Sequence, residues 1–326
     1  ALIASFVPQP TKVNYTEFKD LDNVINKACY AYTWGYDFIF NTTNVFTAKD
    51  RRKAPWLYFG SWNRVPHLQS QLTNYDWMMY ADLDHVIRDL SRPLESFLNE
   101  FRVYNQTPSI FVPTDLTAGT FFASYAVLIK NSTFSHRVLE NWMEFGRGLC
   151  INGNFPIKKM RVNGLPKYIW EHSDQPGLWY GLMKTYEETY NTTNMKPICS
   201  PRTGYIDSTG GYGPEAIQYF RDINFISGHH GDQLTRMNGQ PMIRSTNTTV
   251  EAMHVWGGLG MQMVTRRRAN LGNRKHAFAY HEKFIIDYDF KIEVEKCKKV
   301  HGCYARFDEH QQLEIGCNGR EFTVVQ

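Results

Sequence analysis

The first third of the chain alternates between short apolar runs and a longer segment with helical spacing. Residues 1–7 are mostly apolar and predict a buried first strand. From about Phe18 to Trp34 the apolar positions recur at helical intervals, and Gly35 follows as a typical helix end. Residues 36–40 are rich in β-forming side chains. A strand, a helix and a second strand in this order predict a right-handed βαβ unit on a parallel sheet.

The alternation continues through the middle of the chain. Residues 76–81 form an apolar run typical of a central strand. Residues 150–168 are rich in Gly, Asn and Pro and are predicted to be a loop. Further helices are predicted at 62–72, 93–101, 135–145 and 174–186, and further strands at 109–113 and 120–130. The pattern therefore predicts an α/β protein with a mostly parallel, Rossmann-like sheet flanked by helices.

The composition is that of a globular protein and does not favour nucleic-acid binding. The 326 residues are 42% hydrophobic and 21% charged, as in ordinary globular proteins, and the formal net charge is +4. Basic residues cluster at 266–268 and 274–276, but no aromatic residues are interleaved with a longer basic stripe, which argues against nucleic-acid binding. These basic residues fit either a solvated loop or a groove for a charged ligand. The aromatic content of 15% suits either sugar stacking or core packing.

Cysteines and glycosylation sequons together favour the secretory pathway. The six cysteines contain no CxxC pair, which argues against a zinc site. Their pairing stays open, and we expect only that Cys297, Cys303 and Cys317 are tied locally or back to the core. The predicted glycosylation sites are Asn14, Asn41, Asn131, Asn191 and Asn247, whereas the sequon at Asn105 is weakened by Pro108. Disulfides and glycans persist in that pathway.

The chain is predicted to have one main domain and a C-terminal extension. Residues 1–265 are the predicted main domain, and the charged, cysteine-bearing residues 266–326 are a predicted C-terminal extension packed on it. No apolar stretch is long enough to span a bilayer. A membrane anchor or signal is therefore expected upstream of residue 1.

The sequence Asp82-Leu83-Asp84 is the strongest chemical signal. It follows the apolar run 76–81, and open α/β sheets bind ligands at the carboxyl ends of their strands. Two carboxylates spaced two residues apart can both reach a hard divalent cation, and such a cation can bridge the diphosphate of a nucleotide donor. A solvated acidic loop is the competing interpretation.

Four segments match a known family in order and spacing: Asn26–Ala31, Gly35–Phe38, Trp62–Pro66 and Trp77–Asp84. They resemble the N-K-x-x-Y-A, G-Y, W-x-K-[IV]-P and W-x-x-x-x-D-x-D motifs of the α-galactosyl, α-xylosyl and α-mannosyl transferases. These are Golgi enzymes of yeast and plants with a GT-A fold. Weaker matches follow at Leu128–Ser132 with Leu139 and Trp142, and at Asp174-Gln175. The resemblance covers roughly residues 1–260.

The resemblance implies roles for individual residues. Asp82 and Asp84 would bind the metal, with a later histidine completing its shell, and His229 or His230 competes with His254 for that position. Asp174 and Gln175 would lie beside the sugar in the reaction centre. The residues expected to bind the donor are Tyr36, Arg64, Tyr80, Asp82 and Gly257.

The implied activity is a metal-dependent glycosyl transfer in the Golgi lumen or secretory pathway. With Mn²⁺ or Mg²⁺, a hexose or pentose would move with retention from a nucleotide-diphosphate sugar, UDP-sugar favoured, to a glycan or glycoconjugate acceptor. The chain departs from the family at Arg64, which replaces the lysine of W-x-K, at residues 123–125, where Ala-Ser-Tyr replaces N-[ST]-G, and at Ser173 before the D-Q motif. A catalytically silent, lectin-like or scaffolding relative and a metal-dependent hydrolase therefore remain alternatives.

Overall fold

The computed structural model describes residues 2–5, 21–54, 57, 60–83, 85–87, 90–100, 109–113, 124, 126–147, 160–162, 165–167, 174–190, 253–256, 279–281, 288–310 and 312–325. The helices in these ranges are α1 (Leu21–Trp34), α2 (Ala48–Lys53), α3 (Arg64–Gln71), α4 (Leu94–Glu100), α5 (Thr133–Gly146), α6 (Asp174–Tyr190) and α7 (Tyr288–His301). The strands are β1 (Leu2–Ser5), β2 (Phe38–Asn41), β3 (Trp77–Asp82), β4 (His85–Ile87), β5 (Ile110–Pro113), β6 (Ala126–Lys130), β7 (Met160–Val162), β8 (Leu165–Lys167), β9 (Met253–Trp256), β10 (Ala279–His281), β11 (Tyr304–Phe307), β12 (Leu313–Cys317), β13 (Arg320–Glu321) and β14 (Thr323–Val325).

A seven-stranded sheet forms the centre of the molecule, in the order β14-β2-β1-β3-β6-β5-β9. Strand β6 runs antiparallel to both of its neighbours, whereas the other adjacent pairs are parallel. The predicted βαβ unit is confirmed, because β1 and β2 pair in parallel and α1 lies between them in the chain. The predicted α/β class with a mostly parallel sheet is confirmed as well.

The two faces of the sheet bury separate apolar clusters, because successive strand residues point to opposite faces. In β3, Met78 and Tyr80 belong to one cluster, together with apolar residues of α3, α5 and α6. Met79 and Ala81 belong to the other, together with residues of α1, α7 and the C-terminal strands. Helices therefore cover both faces, which explains why the run at 76–81 is apolar without alternation.

One segment predicted to be a loop contains strands. Within residues 150–168, β7 and β8 pair antiparallel. The two residues between these strands are Asn163 and Gly164 in the sequence, and Asn-Gly is a strong signal for a two-residue hairpin loop. The loop prediction was wrong here because overall composition was given more weight than this dipeptide.

The C-terminal residues are fastened to the main body by one disulfide and one strand pairing, and a second disulfide closes a local loop. A disulfide joins Cys29 in α1 to Cys297 in α7, and a second joins Cys303 to Cys317 locally. Strand β14 pairs with β2 in the central sheet. The expectation that the last three cysteines are tied locally or to the core is confirmed, whereas the boundary at residue 266 stays a prediction. None of the described helices is long and apolar enough to cross a membrane.

Helices α5 and α6 approach each other closely at two glycines of α6. A Cβ atom at Gly181 would lie 2.8 Å from the Val138 carbonyl oxygen and 3.0 Å from the Trp142 main-chain nitrogen. A Cβ at Gly177 would lie 2.6 Å from the Trp62 ring and 2.7 Å from the Trp142 ring. This contact fixes the start of α6, which is the part of the helix nearest the site described below.

We expect Gly181→Ala to lower the free energy of unfolding by about 1–3 kcal/mol, because the added methyl group meets main-chain atoms that cannot rotate away. The gain in helix propensity, about 1 kcal/mol at most, offsets only part of that loss. Urea unfolding measures the difference. Thr189→Ala, at an exposed position of the same helix, is the control and should change stability little. Equal stability of the two variants would contradict the close approach.

Candidate functional site

Asp82 is the last residue of β3 and lies at the carboxyl edge of the sheet. It pairs in register with Ser5, the last residue of β1. Its side chain is 21% exposed, whereas that of Arg64 beside it is 4% exposed. Asp84, the second aspartate of the motif, lies outside the described residues. The structure therefore places one carboxylate of the predicted metal site where it opens toward solvent.

Arg64 joins Asp82 to the start of another helix. It is the first residue of α3, and its Nη2 lies 2.9 Å from Oδ1 and 3.1 Å from Oδ2 of Asp82. Its Nη1 lies 3.2 Å from Oδ2 of Asp174, the first residue of α6. Its Nε donates to the Ser61 carbonyl at 2.9 Å, and Nη1 also donates to the Ser124 carbonyl. The guanidinium is thus buried and directed at protein oxygens.

Asp174 is held by two further residues, Ser124 and Trp142. Its Oδ2 accepts a hydrogen bond of 2.7 Å from the Ser124 hydroxyl in addition to the contact with Arg64. Its main-chain carbonyl accepts a hydrogen bond of 2.6 Å from the Trp142 indole. Asp174 is 5% exposed. The structure therefore brings the predicted catalytic Asp174 and the predicted metal ligand Asp82 to the same arginine, although they are far apart in the sequence.

Tyr80 lies behind Asp82 rather than in an open cleft. Its side chain is buried, its hydroxyl donates to Asp82 Oδ1 at 2.9 Å, and the Arg64 Cζ lies 5.1 Å from its ring centroid. Burial, followed by the charge of Asp82, raises the pKa of the Tyr80 hydroxyl well above its ordinary value. The hydroxyl therefore keeps its proton and donates to the carboxylate. Tyr80 thus supports Asp82, and its role in donor binding stays a prediction.

Among the described side chains of this cluster, one guanidinium faces two carboxylates, Asp82 and Asp174. Burial by itself lowers the pKa of Arg64, but the two carboxylates outweigh it and raise that pKa above its ordinary value. Carboxylate oxygens are ligands that suit Mg²⁺ and Mn²⁺. Asp82, the partly exposed carboxylate of the pair, therefore offers a ligand of the right kind for a divalent cation.

Cysteine chemistry offers no competing metal site in the described ranges. The group of potential ligands found there consists of Cys29, Cys297 and Cys303. All three belong to disulfides, so their sulfur atoms are not available as thiolates.

His254 is not brought to Asp82. It pairs in register with Phe111 of β5, which through β6 is level with Met79 of β3, three residues before Asp82. Three strand spacings separate β9 from β3, a lateral distance of about 14 Å. The geometry gives no support to His254 as a ligand, and the alternatives His229 and His230 lie outside the described residues.

The remaining predicted site residues are spread over the fold. Gln175 follows Asp174 in α6 and is half-buried. Tyr36 precedes the amino end of β2, away from the carboxyl edge, and its hydroxyl donates to the Glu95 carboxylate. The structure therefore does not bring Tyr36 to the cluster. Gly257 lies outside the described residues.

Ser124 was missed by the sequence analysis as a member of the site. In the sequence it was noted only as one of the residues 123–125 that replace the family motif N-[ST]-G. In the structure it contacts both Arg64 and Asp174. Nothing in its local sequence indicates either contact, because both partners come from distant segments.

Comparisons with known proteins give distant structural likenesses. No protein-family model and no curated protein matches the chain. Among solved structures, a glycosyltransferase involved in glycosylation of the PBCV-1 major capsid is 11% identical, with 91% of this chain and 98% of that chain covered and a TM-score of 0.40. The galactosyltransferase LgtC, solved with donor and acceptor sugar analogues, is 10% identical, with coverage of 95% and 98% and a TM-score of 0.36. Mouse xyloside xylosyltransferase 1 is 9% identical, with coverage of 86% and 97% and a TM-score of 0.32.

These similar structures are all glycosyltransferases. At this level of identity and these TM-scores they do not establish a family for the chain. The function proposed below therefore rests on the cluster around Arg64 and on the sequence motifs.

Two predicted glycosylation sites fall on described side chains, and they differ in accessibility. Asn131 is exposed at the end of β6, with its Oδ1 2.8 Å from His136 Nε2. Asn41 is 5% exposed, and its Oδ1 accepts a hydrogen bond of 2.9 Å from the Thr43 main-chain nitrogen. Asn14, Asn191 and Asn247 lie outside the described residues.

In a secretory expression host we expect a glycan at Asn131 and none at Asn41, because a buried amide has no room for a sugar. Peptide mapping by mass spectrometry before and after peptide N-glycosidase checks this. A glycan on Asn41 in the folded, disulfide-bonded protein would contradict the buried position of that side chain.

His67 makes stability depend on pH. It is 2% exposed, its Nε2 lies 3.1 Å from the Thr43 carbonyl, and burial lowers its pKa to about 4. Because the unfolded side chain titrates near pH 6.5, the unfolded state binds more protons between about pH 6.5 and 4. Stability from this residue is therefore complete above that window and is lost as the pH falls through it.

We expect this titration to remove about 2–3 kcal/mol of unfolding free energy between pH 7 and pH 4. Urea unfolding of wild type and His67→Gln across that range measures it, since glutamine can donate to Thr43 but does not titrate. Parallel pH profiles for the two proteins would show that His67 is not responsible.

Proposed function

We propose that the chain is a metal-dependent glycosyltransferase that transfers a hexose or pentose from a nucleotide-diphosphate sugar, UDP-sugar favoured, to a glycan or glycoconjugate. The observation that carries this proposal is the buried Arg64, which holds Asp82 at the carboxyl edge of a mostly parallel sheet and Asp174 at the start of α6. Nucleotide ligands bind at that edge in open α/β sheets.

Each residue then has a distinct role. Asp82 and Asp84 hold Mn²⁺ or Mg²⁺, which when bound supplies charge neutralisation for the diphosphate. Tyr80 and Arg64 orient the Asp82 carboxylate through the hydrogen bonds described above. Asp174 places a fixed negative charge where positive charge develops on the sugar as it leaves the donor, and transfer with retention follows the family resemblance.

The two observed disulfides support a location in an oxidising compartment, and we propose the Golgi lumen or secretory pathway. The exposed sequon at Asn131 agrees with that proposal.

A donor screen tests the activity. Purified chain is incubated with individual UDP- and GDP-sugars, with Mn²⁺ or EDTA, and free nucleotide diphosphate is measured with and without added acceptor glycans. We expect Mn²⁺-dependent release from one donor, stimulated by acceptor and lost in Asp82→Asn. If nucleotide diphosphate is released at the same rate with and without acceptor, the chain would be a hydrolase instead.

A catalytically silent, lectin-like relative is the second candidate. Its specific support is Ser124, which lies in the segment that departs from the family wording and whose hydroxyl binds Asp174. Binding of a glycan without release from any donor would establish this alternative.

A further inference from the structure

Lys27 is a fully buried lysine on α1 that reaches the segment after β3. It is 0% exposed, and its Nζ donates to the Leu83 carbonyl at 2.9 Å and to the Asn23 carbonyl at 3.3 Å. Leu83 is the middle residue of Asp82-Leu83-Asp84. Burial of an ammonium costs several kcal/mol unless it is well compensated. The hydrogen bonds of Lys27 to main-chain oxygens offset part of that cost and tie α1 to the residue that follows Asp82.

Neighbouring side chains of α1 hold the same segment further along. Asn26 makes two hydrogen bonds with the main chain of Ile87, donating to its carbonyl at 2.7 Å and accepting from its nitrogen at 2.8 Å. The Trp34 indole donates to the Leu90 carbonyl at 2.9 Å, and the Tyr30 hydroxyl donates to the Arg92 carbonyl at 2.7 Å. We call the four side chains Asn26, Lys27, Tyr30 and Trp34 the α1 clamp.

The α1 clamp acts on main-chain atoms, so it fixes the path of the segment independently of the segment's own side chains. Lys27 and Asn26 contact residues on either side of position 84 in the chain. The ammonium also brings a positive charge to the peptide group between the two aspartates. The hold on the main chain favours a segment whose path is fixed before a metal binds.

We propose that Lys27 and Asn26 are positioning residues that hold the main chain at Leu83 and Ile87, on either side of position 84, in the path required for Mn²⁺ and nucleotide binding. This inference rests on the proposed function for its ligand. It does not require Lys27 to touch the metal, the donor or the acceptor.

Two measurements on the full chain test the proposal. Binding of Mn²⁺ in the presence of UDP is followed by electron paramagnetic resonance of free Mn²⁺, and hydrogen–deuterium exchange of residues 83–92 is followed without metal. For Lys27→Met we expect at least tenfold weaker Mn²⁺ binding and faster exchange in that segment. Lys298→Met is the matched control, because Lys298 also contacts α1, through Asp22 at 3.0 Å, but not this segment.

The outcomes separate this inference from the proposed function. Mn²⁺ affinity within twofold of wild type in a folded Lys27→Met protein, or unchanged exchange of residues 83–92, would overturn the positioning role. If the wild-type protein binds no Mn²⁺ in the presence of UDP, the proposed function fails. Faster hydrogen–deuterium exchange of residues 83–92 in Lys27→Met would even then support the role of Lys27 in holding that segment. If Lys27→Met does not fold, Asn26→Ala, which removes no charge, decides the question by the same two measurements.

Discussion

Arg64→Met is expected to lower the free energy of unfolding by about 3–5 kcal/mol and to abolish glycosyl transfer. The guanidinium is almost fully buried and is the shared ion-pair partner of Asp82 and Asp174. Its removal takes an ion-pair partner from both carboxylates in a site of low exposure, and the cost of that loss exceeds that of a lost surface ion pair.

Arg137→Met provides the control for that experiment. Arg137 also makes close contacts to carboxylates, with Nε 2.6 Å from Glu188, but its side chain is 41% exposed. Its loss should cost less than about 1 kcal/mol because solvent screens the pair. Urea unfolding of both variants at neutral pH gives the comparison. Similar losses in the two variants would show that Arg64 has no special structural role.

Asp174→Asn is expected to reduce the rate of transfer by about 10²–10³-fold while leaving the KM for the donor within a few-fold. The substitution keeps the shape of the side chain and removes the charge that, under the proposed function, faces the developing positive charge on the sugar. A fall in kcat with little change in KM is the expected signature of an interaction made chiefly in the transition state.

Ser124→Ala distinguishes that charge effect from simple loss of a contact. It removes the hydrogen bond of 2.7 Å to Asp174 Oδ2 and leaves the carboxylate charge in place. Transfer should fall by less than tenfold in this variant, as measured by steady-state kinetics with the identified donor. A decrease in Asp174→Asn no larger than that in Ser124→Ala would argue that Asp174 is structural only.

Much of the fold could be predicted because the spacing of apolar residues along the chain indicates which side chains are buried. The apolar run before Asp82 became β3, and the spacing from residue 18 to residue 34 became α1. The hairpin of β7 and β8 was missed although its Asn163-Gly164 signal was present. The pairing of β14 with β2 could not be predicted, because three residues near the C-terminus carry no signal for their distant neighbour.

The sequence indicated which residues belong to the candidate site better than it indicated what each of them contacts. Asp82, Arg64 and Asp174 were all selected from motifs, but their convergence depends on how α3, β3 and α6 meet. Tyr80 was predicted to bind the donor, yet strand alternation places it on the same face as Asp82, within reach of its carboxylate. That contact could have been inferred from the spacing of two residues alone.

The position of β14 at the edge of the sheet affects how the protein can be made. The Thr42 hydroxyl beside β2 donates to the Val325 carbonyl, a partner 283 residues later. During synthesis on the ribosome, the edge of β2 that pairs with β14 therefore stays open until residues 323–325 have emerged. Open strand edges recruit other chains, and contacts this remote form slowly. Yield of native protein should consequently depend on chaperones that shield the nascent chain, more than on the final stability of the fold.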